Sequence, residues 1–397
     1  MKMDRRSFLT MTGAALAAAH GHADGDEEKL RACIIGDTEG GGYGHHLDVL
    51  FALQPTVEVV GLADPHERGR AFHAERSNAR RTYADYREML EKERPDLAVV
   101  APRWPSRHKE YLLACAETGT HGFIEKPLCI DLAEADAMVD AIEAKNLKWA
   151  IAFNVRALPT VAHLRKLLWE DELIGTVMEA RGRGKEDHRV GGEDLIVLGV
   201  HIFDLMRYLV ASEPTWCHAR VTCDGRPVRP GDVHDPTEPL GPVVGDTIHA
   251  AYGFANGVAG FFDTVKTPDG NGGRFGLDIY GSRGVVALRF DSYDIYWLGD
   301  AQWSPGHTGA KWQPIPDAPA LSPGIEKDPR QRNKPIVDDW LAAVHEDRIP
   351  AVSLQDGRHA QAMIQAVFES CVQDKRVTMP LENRTHPLKR RQAWNDA

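Results

Sequence analysis

The residues best suited to chemistry begin with Glu125-Lys126-Pro127, which end the short apolar run 121–124. Proline lacks a backbone N–H and fixes φ, so a strand stops here and leaves Lys126 at its end. From that position an ammonium can stabilise negative charge on a reacting oxygen. The tripeptide alone also fits an exposed lysine paired with Glu125.

A second candidate is His201, in an apolar helical pattern that starts at Leu195. Imidazole titrates near neutrality and can accept or return a hydroxyl proton. Asp204 follows at i+3, so both side chains can share one helix face. A lone histidine in an apolar helix is, however, more often a core residue.

A dense polar segment precedes that helix and supplies candidates for binding hydroxyl groups. Lys185 and Asp187 lie in the stretch RGRGKEDH, and Asp194 is the nearest acid before His201, two turns away on roughly the same face. We predict Lys185, Asp187 and Asp194 as substrate contacts, together with Lys126 and His201. A solvated loop is the alternative for residues 185–188.

A glycine-rich turn follows the first predicted strand and indicates a dinucleotide site. The predicted contacts there are Gly36, Thr38, Gly40, Gly42 and Gly44, ahead of a predicted helix whose amides would face a pyrophosphate. Asp64 ends the next strand, where an acid accepts hydrogen bonds from ribose hydroxyls and disfavours a 2′-phosphate. This favours NAD and leaves NADP possible, although Thr38 and Glu39 depart from the usual glycine pattern.

The surrounding elements alternate between strand and helix periodicities. Apolar strand patterns separated by helical segments predict a doubly wound parallel α/β sheet, a Rossmann domain, over residues 30–152. Residues 153–390 contain several alternating strand patterns, with Gly281 and Gly284 at a hairpin bend, and form a second predicted domain. Residues 300–334 are rich in proline, glycine and tryptophan and predict a long loop.

Composition excludes several classes of protein. The chain has 397 residues, 43% of them hydrophobic, a formal net charge of -11 and a pI near 5.9. That charge offers no broad basic surface for nucleic acid, and no apolar run reaches the ~20 residues of a membrane span. The 18 histidines form none of the usual metal-binding motifs, so no metal site is predicted.

The N-terminus predicts export. Residues 1–24 pair Arg5 with Arg6 ahead of a short apolar segment, as in a twin-arginine signal peptide, which predicts a periplasmic location. In an oxidising compartment, Cys217 and Cys223 can face each other across a bend, so a disulfide between them is possible.

The order of these motifs resembles the glucose-fructose oxidoreductase and inositol dehydrogenase (Gfo/Idh/MocA) family over nearly all of residues 30–390. The resemblance implies a Rossmann domain, a C-terminal α/β domain with a large, mostly antiparallel sheet, a nicotinamide cofactor and a sugar or cyclitol substrate. It also implies a homodimer or homotetramer. Lys126 and His201 match the catalytic lysine and histidine, and Glu125 and Lys126 fall near the cofactor. Trp104 and His108 lie at the end of the third predicted strand, where Trp104 can stack on the cofactor or substrate and His108 can hydrogen-bond nearby; a packing role is the equal alternative for Trp104.

One departure keeps three functions open. The family commonly has an aspartate one turn before the histidine, and this chain has Val197. We therefore expect an exported NAD(P)-dependent oxidoreductase acting on a sugar or cyclitol hydroxyl. The alternatives are a redox-neutral glycosidase or lyase acting through a keto-sugar, and a non-catalytic sugar-binding relative.

Overall fold

A computed structural model describes residues 29–266 and 274–390. The predicted signal peptide, residues 1–24, lies outside the described residues. No helix within the described ranges has the length and apolar character needed to cross a bilayer.

The first sheet has six parallel strands in the order β3-β2-β1-β4-β5-β6, which is the Rossmann order. Most of its residues are buried, as expected for a parallel sheet with both faces covered. The predicted doubly wound sheet is therefore confirmed. Its strands are β1 (Leu30–Ile35), β2 (Val57–Ala63), β3 (Arg81–Tyr83), β4 (Leu97–Val100), β5 (His121–Ile124) and β6 (Trp149–Ile151).

The helices of the first half connect these strands, and several begin with side-chain caps. Asp85 caps α2 by accepting from the amides of Arg87 and Glu88, and Asp131 with Glu134 forms a capping box at α4. The helices up to the second sheet are α1 (Glu67–Ser77), α2 (Tyr86–Glu93), α3 (His108–Glu117), α4 (Leu132–Glu143) and α5 (Pro159–Trp169), with a 3₁₀ segment at Pro105–Arg107.

The helix predicted after the glycine-rich turn is wrong. Gly44–Val49 forms a 3₁₀ segment in which His45 (φ 46°) and His46 (φ 56°) have left-handed backbones. Side-chain-bearing residues in that region interrupt the regular helical hydrogen bonds. No α-helix N-terminus therefore follows the turn to receive a pyrophosphate.

The second sheet has ten strands, and its pairs are antiparallel except for the parallel pair β7–β11. Gly281 pairs with Gly284 at the hairpin between β12 and β13, which confirms the predicted bend. The strands are β7 (Val177–Arg183), β8 (Pro214–Cys223), β9 (Arg226–Pro227), β10 (Thr247–Phe254), β11 (Ala259–Val265), β12 (Gly276–Gly281), β13 (Gly284–Arg289), β14 (Ile295–Leu298), β15 (Gln313–Pro314) and β16 (Val377–Thr378).

Helices cover one face of this sheet, with α10 packed against β8 and α7. The predicted loop at 300–334 is confirmed in large part, although it contains α8 and β15 and ends where α9 begins at Pro329. The remaining helices are α6 (Gly192–Val197), α7 (Gly199–Val210), α8 (Pro305–Thr308), α9 (Pro329–His345) and α10 (Leu354–Gln373), with 3₁₀ segments at Pro230–Asp232 and Pro387–Lys389.

The two halves share part of their core through α9. Trp340 is fully buried, its ring lies 5.7 Å from that of Phe123, and its Nε1 donates to the carbonyl of Lys148 at 3.0 Å. The amide of Ile151 in β6 donates to Val352, just before α10. The late helices therefore fix the Rossmann sheet against the second half of the chain.

The suggested disulfide is wrong. Cys217 and Cys223 are free thiols on the same strand, β8, six positions apart. Strand geometry separates such residues by about 20 Å, whereas a disulfide requires Cα atoms within about 7 Å.

Candidate active site

Lys126 lies just beyond β5 and its side chain is buried, with 8% of the residue exposed. Its Nζ donates to the carbonyl oxygen of Val197 at 3.1 Å. That carbonyl lies at the junction of α6 and α7, where the amide of His201 donates to Leu198 instead of closing a regular turn onto Val197. The broken helix thus leaves an acceptor for the lysine at the position where the family usually has an acid.

Charge and burial oppose each other at Lys126. Burial lowers the pKa of its ammonium, and the positive charges of Arg189 and Arg103 lower it further, while Glu125 and Glu238 raise it. The net direction is downward. A lysine so placed releases its proton more readily than a lysine in water.

Glu125 is almost fully buried, and its carboxylate holds an imidazole. His45 Nδ1 lies 2.7 Å from Oε1 and 2.9 Å from Oε2. The backbone oxygen of His45 accepts from Asn333 Nδ2 at 3.0 Å, and Asn154 Nδ2 donates to the Asn333 oxygen at 2.6 Å. Residues from both halves of the chain therefore fix His45.

A cavity of about 170 Å³ lies over these side chains. Its lining combines cations, acids and one imidazole: His45, Arg103, Glu125, Lys126, Pro127, Arg189, Val197, Glu238 and Leu240. Arg103 Nη1 lies 4.0 Å from Glu238 Oε1 across it. The predicted Lys126 and Glu125 therefore lie together in one small polar cavity.

His201 lies beside this cavity and outside its lining. Its ring is 5.8 Å from that of His45, edge to face, and 5.7 Å from that of Phe153. Burial lowers the pKa of His201 well below its usual value, and the charges of Lys126 and His45 lower it further. The ring is therefore neutral near pH 7.

Asp204 shares α7 with His201 but does not line the cavity. Asp204 is fully buried and accepts from Arg156 Nη1 at 2.6 Å, in a charge cluster that includes Asp356. Burial raises the pKa of Asp204 to about 6 despite Arg156. This carboxyl belongs to the packing of α7.

The predicted substrate contacts from the polar segment have mainly structural partners. Asp194 is fully buried, and its carboxylate accepts from the amides of Lys185 (3.2 Å) and Glu186 (3.3 Å) and from Thr264 Oγ1 (2.6 Å). It therefore does not face the cavity, which corrects that prediction. Asp187 is bound by the Arg189 guanidinium at 2.6 Å.

Lys185 also lies away from the reacting groups. Its Nζ is 3.9 Å from an Asp291 oxygen and is absent from the cavity lining. Arg189, which directly follows the polar segment, does reach the cavity wall.

The amides of the glycine-rich turn already donate to backbone carbonyl oxygens of the protein. The amides of Gly36, Gly40, Gly42 and Gly44 donate to Ala63, Asp37, Asp37 and Ala101, respectively. Gly41 has a φ of 103°, and a Cβ there would lie 2.8 Å from the backbone nitrogen of Trp104. The predicted Trp104 thus packs against the turn, and the glycine is required by this close approach.

Asp64 lies at the end of β2, as predicted, but its carboxylate is occupied. Its Oδ2 accepts from the Thr38 amide at 3.1 Å, the Thr38 hydroxyl at 2.6 Å and the Tyr43 hydroxyl at 3.0 Å. The amide of His66 donates to Oδ1 at 2.8 Å. An acid here fits the ribose hydroxyls of NAD, provided that Thr38 and Tyr43 release it.

His108 has a structural position. It is fully buried, with Nε2 2.7 Å from the Pro102 oxygen and Nδ1 3.1 Å from the Leu128 oxygen. The prediction of His108 as a cofactor contact is therefore corrected, because its ring joins two loops and has no free surface.

Sequence reasoning missed His45, Arg103, Arg189, Glu238 and Asn333. His45 directly follows the glycine-rich turn, and this adjacency was the one local signal available. The others come from distant segments, and only folding brings them together.

A surface group of Cys223, Asp224 and Asp246 has metal-binding atom types within reach of one another. Lys266 Nζ lies 3.5 Å from Asp224 and 3.7 Å from Asp246, so an ammonium already offsets part of the negative charge of this group.

Comparison with known proteins identifies both halves of the chain. Residues 30–153 match the family model described as oxidoreductase family, NAD-binding Rossmann fold. Residues 177–379 match the model described as oxidoreductase family, C-terminal alpha/beta domain.

Among curated relatives, levoglucosan dehydrogenase of Pseudarthrobacter phenanthrenivorans is 27% identical over 359 residues, covering 82% of this chain and 90% of the relative. Myo-inositol 2-dehydrogenase of Thermotoga maritima is 25% identical over 250 residues, covering 61% and 70%. The crystallised levoglucosan dehydrogenase in complex with NADH and L-sorbose has the same fold, with a TM-score of 0.72, 24% identity and coverage of 89% and 99%. The chain belongs to the Gfo/Idh/MocA oxidoreductase family, and it has both the NAD-binding Rossmann domain and the C-terminal α/β domain of that family.

Proposed function

We propose that this protein is an exported dehydrogenase that uses NAD to oxidise a hydroxyl-bearing carbon of a sugar, sugar derivative or cyclitol. The family and the named relatives support the reaction class: levoglucosan and myo-inositol both carry secondary hydroxyl groups. Bound NAD would supply the hydride acceptor.

The observation that carries this proposal is the buried amine of Lys126, fixed beside an imidazole in one small cavity. Oxidation of a hydroxyl requires a group that takes the O–H proton and stabilises the developing negative oxygen. Lys126 Nζ can donate to the reacting oxygen and stabilise its negative charge, while a neighbouring nitrogen of the cavity takes the proton.

Val197 leaves the reaction without the usual carboxylate beside the lysine. A backbone carbonyl can orient Lys126 Nζ at 3.1 Å, but it cannot carry a proton away. The proton must therefore pass through nitrogen atoms of the cavity.

Export is part of the proposal. Arg5 and Arg6, followed by a short apolar segment, support passage by the twin-arginine route to the periplasm. This route carries folded proteins, so NAD can be bound before export. We further propose a homodimer or homotetramer, as the resemblance implies.

The test uses the purified mature protein. Denaturation should release NAD, identified by mass, and incubation with levoglucosan, inositols and simple glycosides should give reduced nicotinamide in step with an oxidised product. Glycoside cleavage without net reduction would instead support redox-neutral chemistry, the alternative that the Val197 departure leaves open. Failure to bind any nicotinamide nucleotide would rule out both reactions.

A further inference from the structure

We propose that His45, held by Glu125, is an acid/base catalytic residue that exchanges a proton with the substrate hydroxyl in this cavity. The inference rests on the proposed function and adds a residue to it. In the described structure, His45 is the imidazole that lines the cavity with Lys126, whereas His201 lies beside the lining.

The hydrogen bonds of His45 assign its protons. A carboxylate only accepts, so Nδ1, at 2.7 and 2.9 Å from the Glu125 oxygens, carries the hydrogen. The neutral ring then has its lone pair on Nε2, for which the described residues provide no hydrogen-bond partner. Nε2 is therefore available as a base.

The backbone shows that this position is maintained against strain. A left-handed conformation is unfavourable for a histidine and persists only where surrounding contacts enforce it. Asn333 Nδ2 donates to the His45 carbonyl, and Asn154 orients Asn333. Both asparagines are buried, so the strained turn is supported from the second half of the chain.

The charges around His45 suit a group that is protonated transiently. Glu125 contacts it directly, with 1% of the residue exposed, and can stabilise an imidazolium. The other titratable groups facing it are His201, at a ring separation of 5.8 Å, and the cavity residues Lys126, Arg103, Arg189 and Glu238. The side chain of His45 is 23% exposed, which gives the proton a route to solvent.

The proposed step balances. The O–H bond of the substrate breaks and its proton passes to His45 Nε2. The electron pair of the C–H bond leaves with its hydrogen as hydride, which bound NAD would accept under the proposed function. A carbonyl forms on the substrate, and the imidazolium then releases its proton to solvent.

The experiment compares His45→Asn with His46→Asn, because asparagine tolerates the left-handed backbone that both histidines adopt. His46 is exposed and lies outside the cavity lining, so it is a matched control. We expect His45→Asn to lower kcat about 100-fold or more, with NADH affinity by calorimetry within about threefold of wild type, and His46→Asn to stay within about twofold on both measures.

Glu125→Gln provides a second test that keeps the imidazole. Without the carboxylate, protonation of the ring is less favourable, so the acid limb of the pH–rate profile for oxidation should move to lower pH. The imidazole NMR signal that is absent from His45→Asn should change position in Glu125→Gln, because Nδ1 loses its carboxylate partner, and this measurement needs no turnover.

Three outcomes overturn the inference: His45→Asn with wild-type kcat, an acid limb that Glu125→Gln leaves in place, or His45→Asn losing NADH affinity in proportion to kcat. The last would make His45 a structural residue of the turn. A wild-type protein that binds NADH but transfers no hydride to any substrate is a failure of the proposed function itself, and the inference then falls with it.

Discussion

Lys126 is a buried cation in the candidate active site. Burying an ammonium is unfavourable, and the Val197 carbonyl and the charges of Glu125 and Glu238 offset part of that cost. Replacing Lys126 should therefore affect the activity and the stability of the protein in different ways.

We expect Lys126→Met to abolish turnover, by a factor of about 1,000 or more, and to leave the melting temperature equal or higher. Methionine fills a similar volume without a buried charge. Activity assays and thermal unfolding measure the two effects. Lys92→Met, at an exposed position of α2, is the control and should keep full activity. An active Lys126→Met variant would show that Lys126 takes no part in the mechanism.

Asp194 predicts a pH dependence of stability. Burial raises its pKa from 3.8 to about 6 in the folded state. Its contribution to the free energy of unfolding is therefore most favourable below pH ~4, falls as pH rises from about 4 to about 6, and is constant above that. The amide of Asp194→Asn does not titrate. Relative to this variant, the free energy of unfolding of the wild type should fall by roughly 3 kcal/mol over this pH range.

Urea unfolding at several pH values tests this prediction. Asp187→Asn is the contrasting variant, because bonding to Arg189 lowers the pKa of Asp187 despite burial. Its contribution has the opposite sign: stability is lost as pH falls through the lowered pKa. If the difference in unfolding free energy between wild type and Asp194→Asn does not change between pH 4 and 6, the raised pKa of Asp194 is contradicted.

Among the elements, the glycine-rich turn is notable because it closes on itself. Tyr43 packs its ring over Gly36 and on His73, at 3.7 Å between ring centroids, and its hydroxyl occupies Asp64. Burial and Asp64 raise the pKa of Tyr43, so the hydroxyl stays protonated and donates. Asp64 must exchange this donor for a ribose hydroxyl when NAD binds.

Tyr43→Phe keeps the ring and removes that competitor. We expect NADH to bind about 3- to 10-fold more tightly, since a hydrogen bond to a charged group contributes on the order of 1 kcal/mol or more. Calorimetry gives the affinity, and Tyr86→Phe, whose hydroxyl bonds Glu110 elsewhere, is the control. Weaker binding would show instead that the Tyr43 hydroxyl contacts the nucleotide.

The whole molecule is held together by noncovalent packing. All six cysteines are free, and Cys33, Cys115, Cys129 and Cys217 are buried. Burial raises the pKa of each of these thiols, which suppresses the reactive thiolate.

We therefore expect the purified protein to titrate six thiols after denaturation, and its melting temperature to be unchanged by reductant. In the native state, Cys223 and Cys371 should react first, because they alone among the six are partly exposed. A reductant-sensitive melting temperature would reveal a disulfide that the described fold does not contain.

The sequence determined the Rossmann sheet and the position of Lys126, because both follow from local patterns: alternating periodicities set the strands, and Pro127 ends β5. It did not determine the groups around the lysine. The break between α6 and α7 turned the Val197 carbonyl toward Lys126, although the family pattern pointed to a missing acid.

Only the tertiary structure decided the roles of the remaining polar residues. Asp194 and Asp204 have the residue type and spacing expected of site residues. Packing nevertheless directs the Asp194 carboxylate to backbone amides and the Asp204 carboxylate to Arg156. His45 reaches the cavity because Asn333, 288 residues away, holds a left-handed turn. Side-chain direction at a backbone break depends on such long-range contacts, and no local pattern in the sequence encodes them.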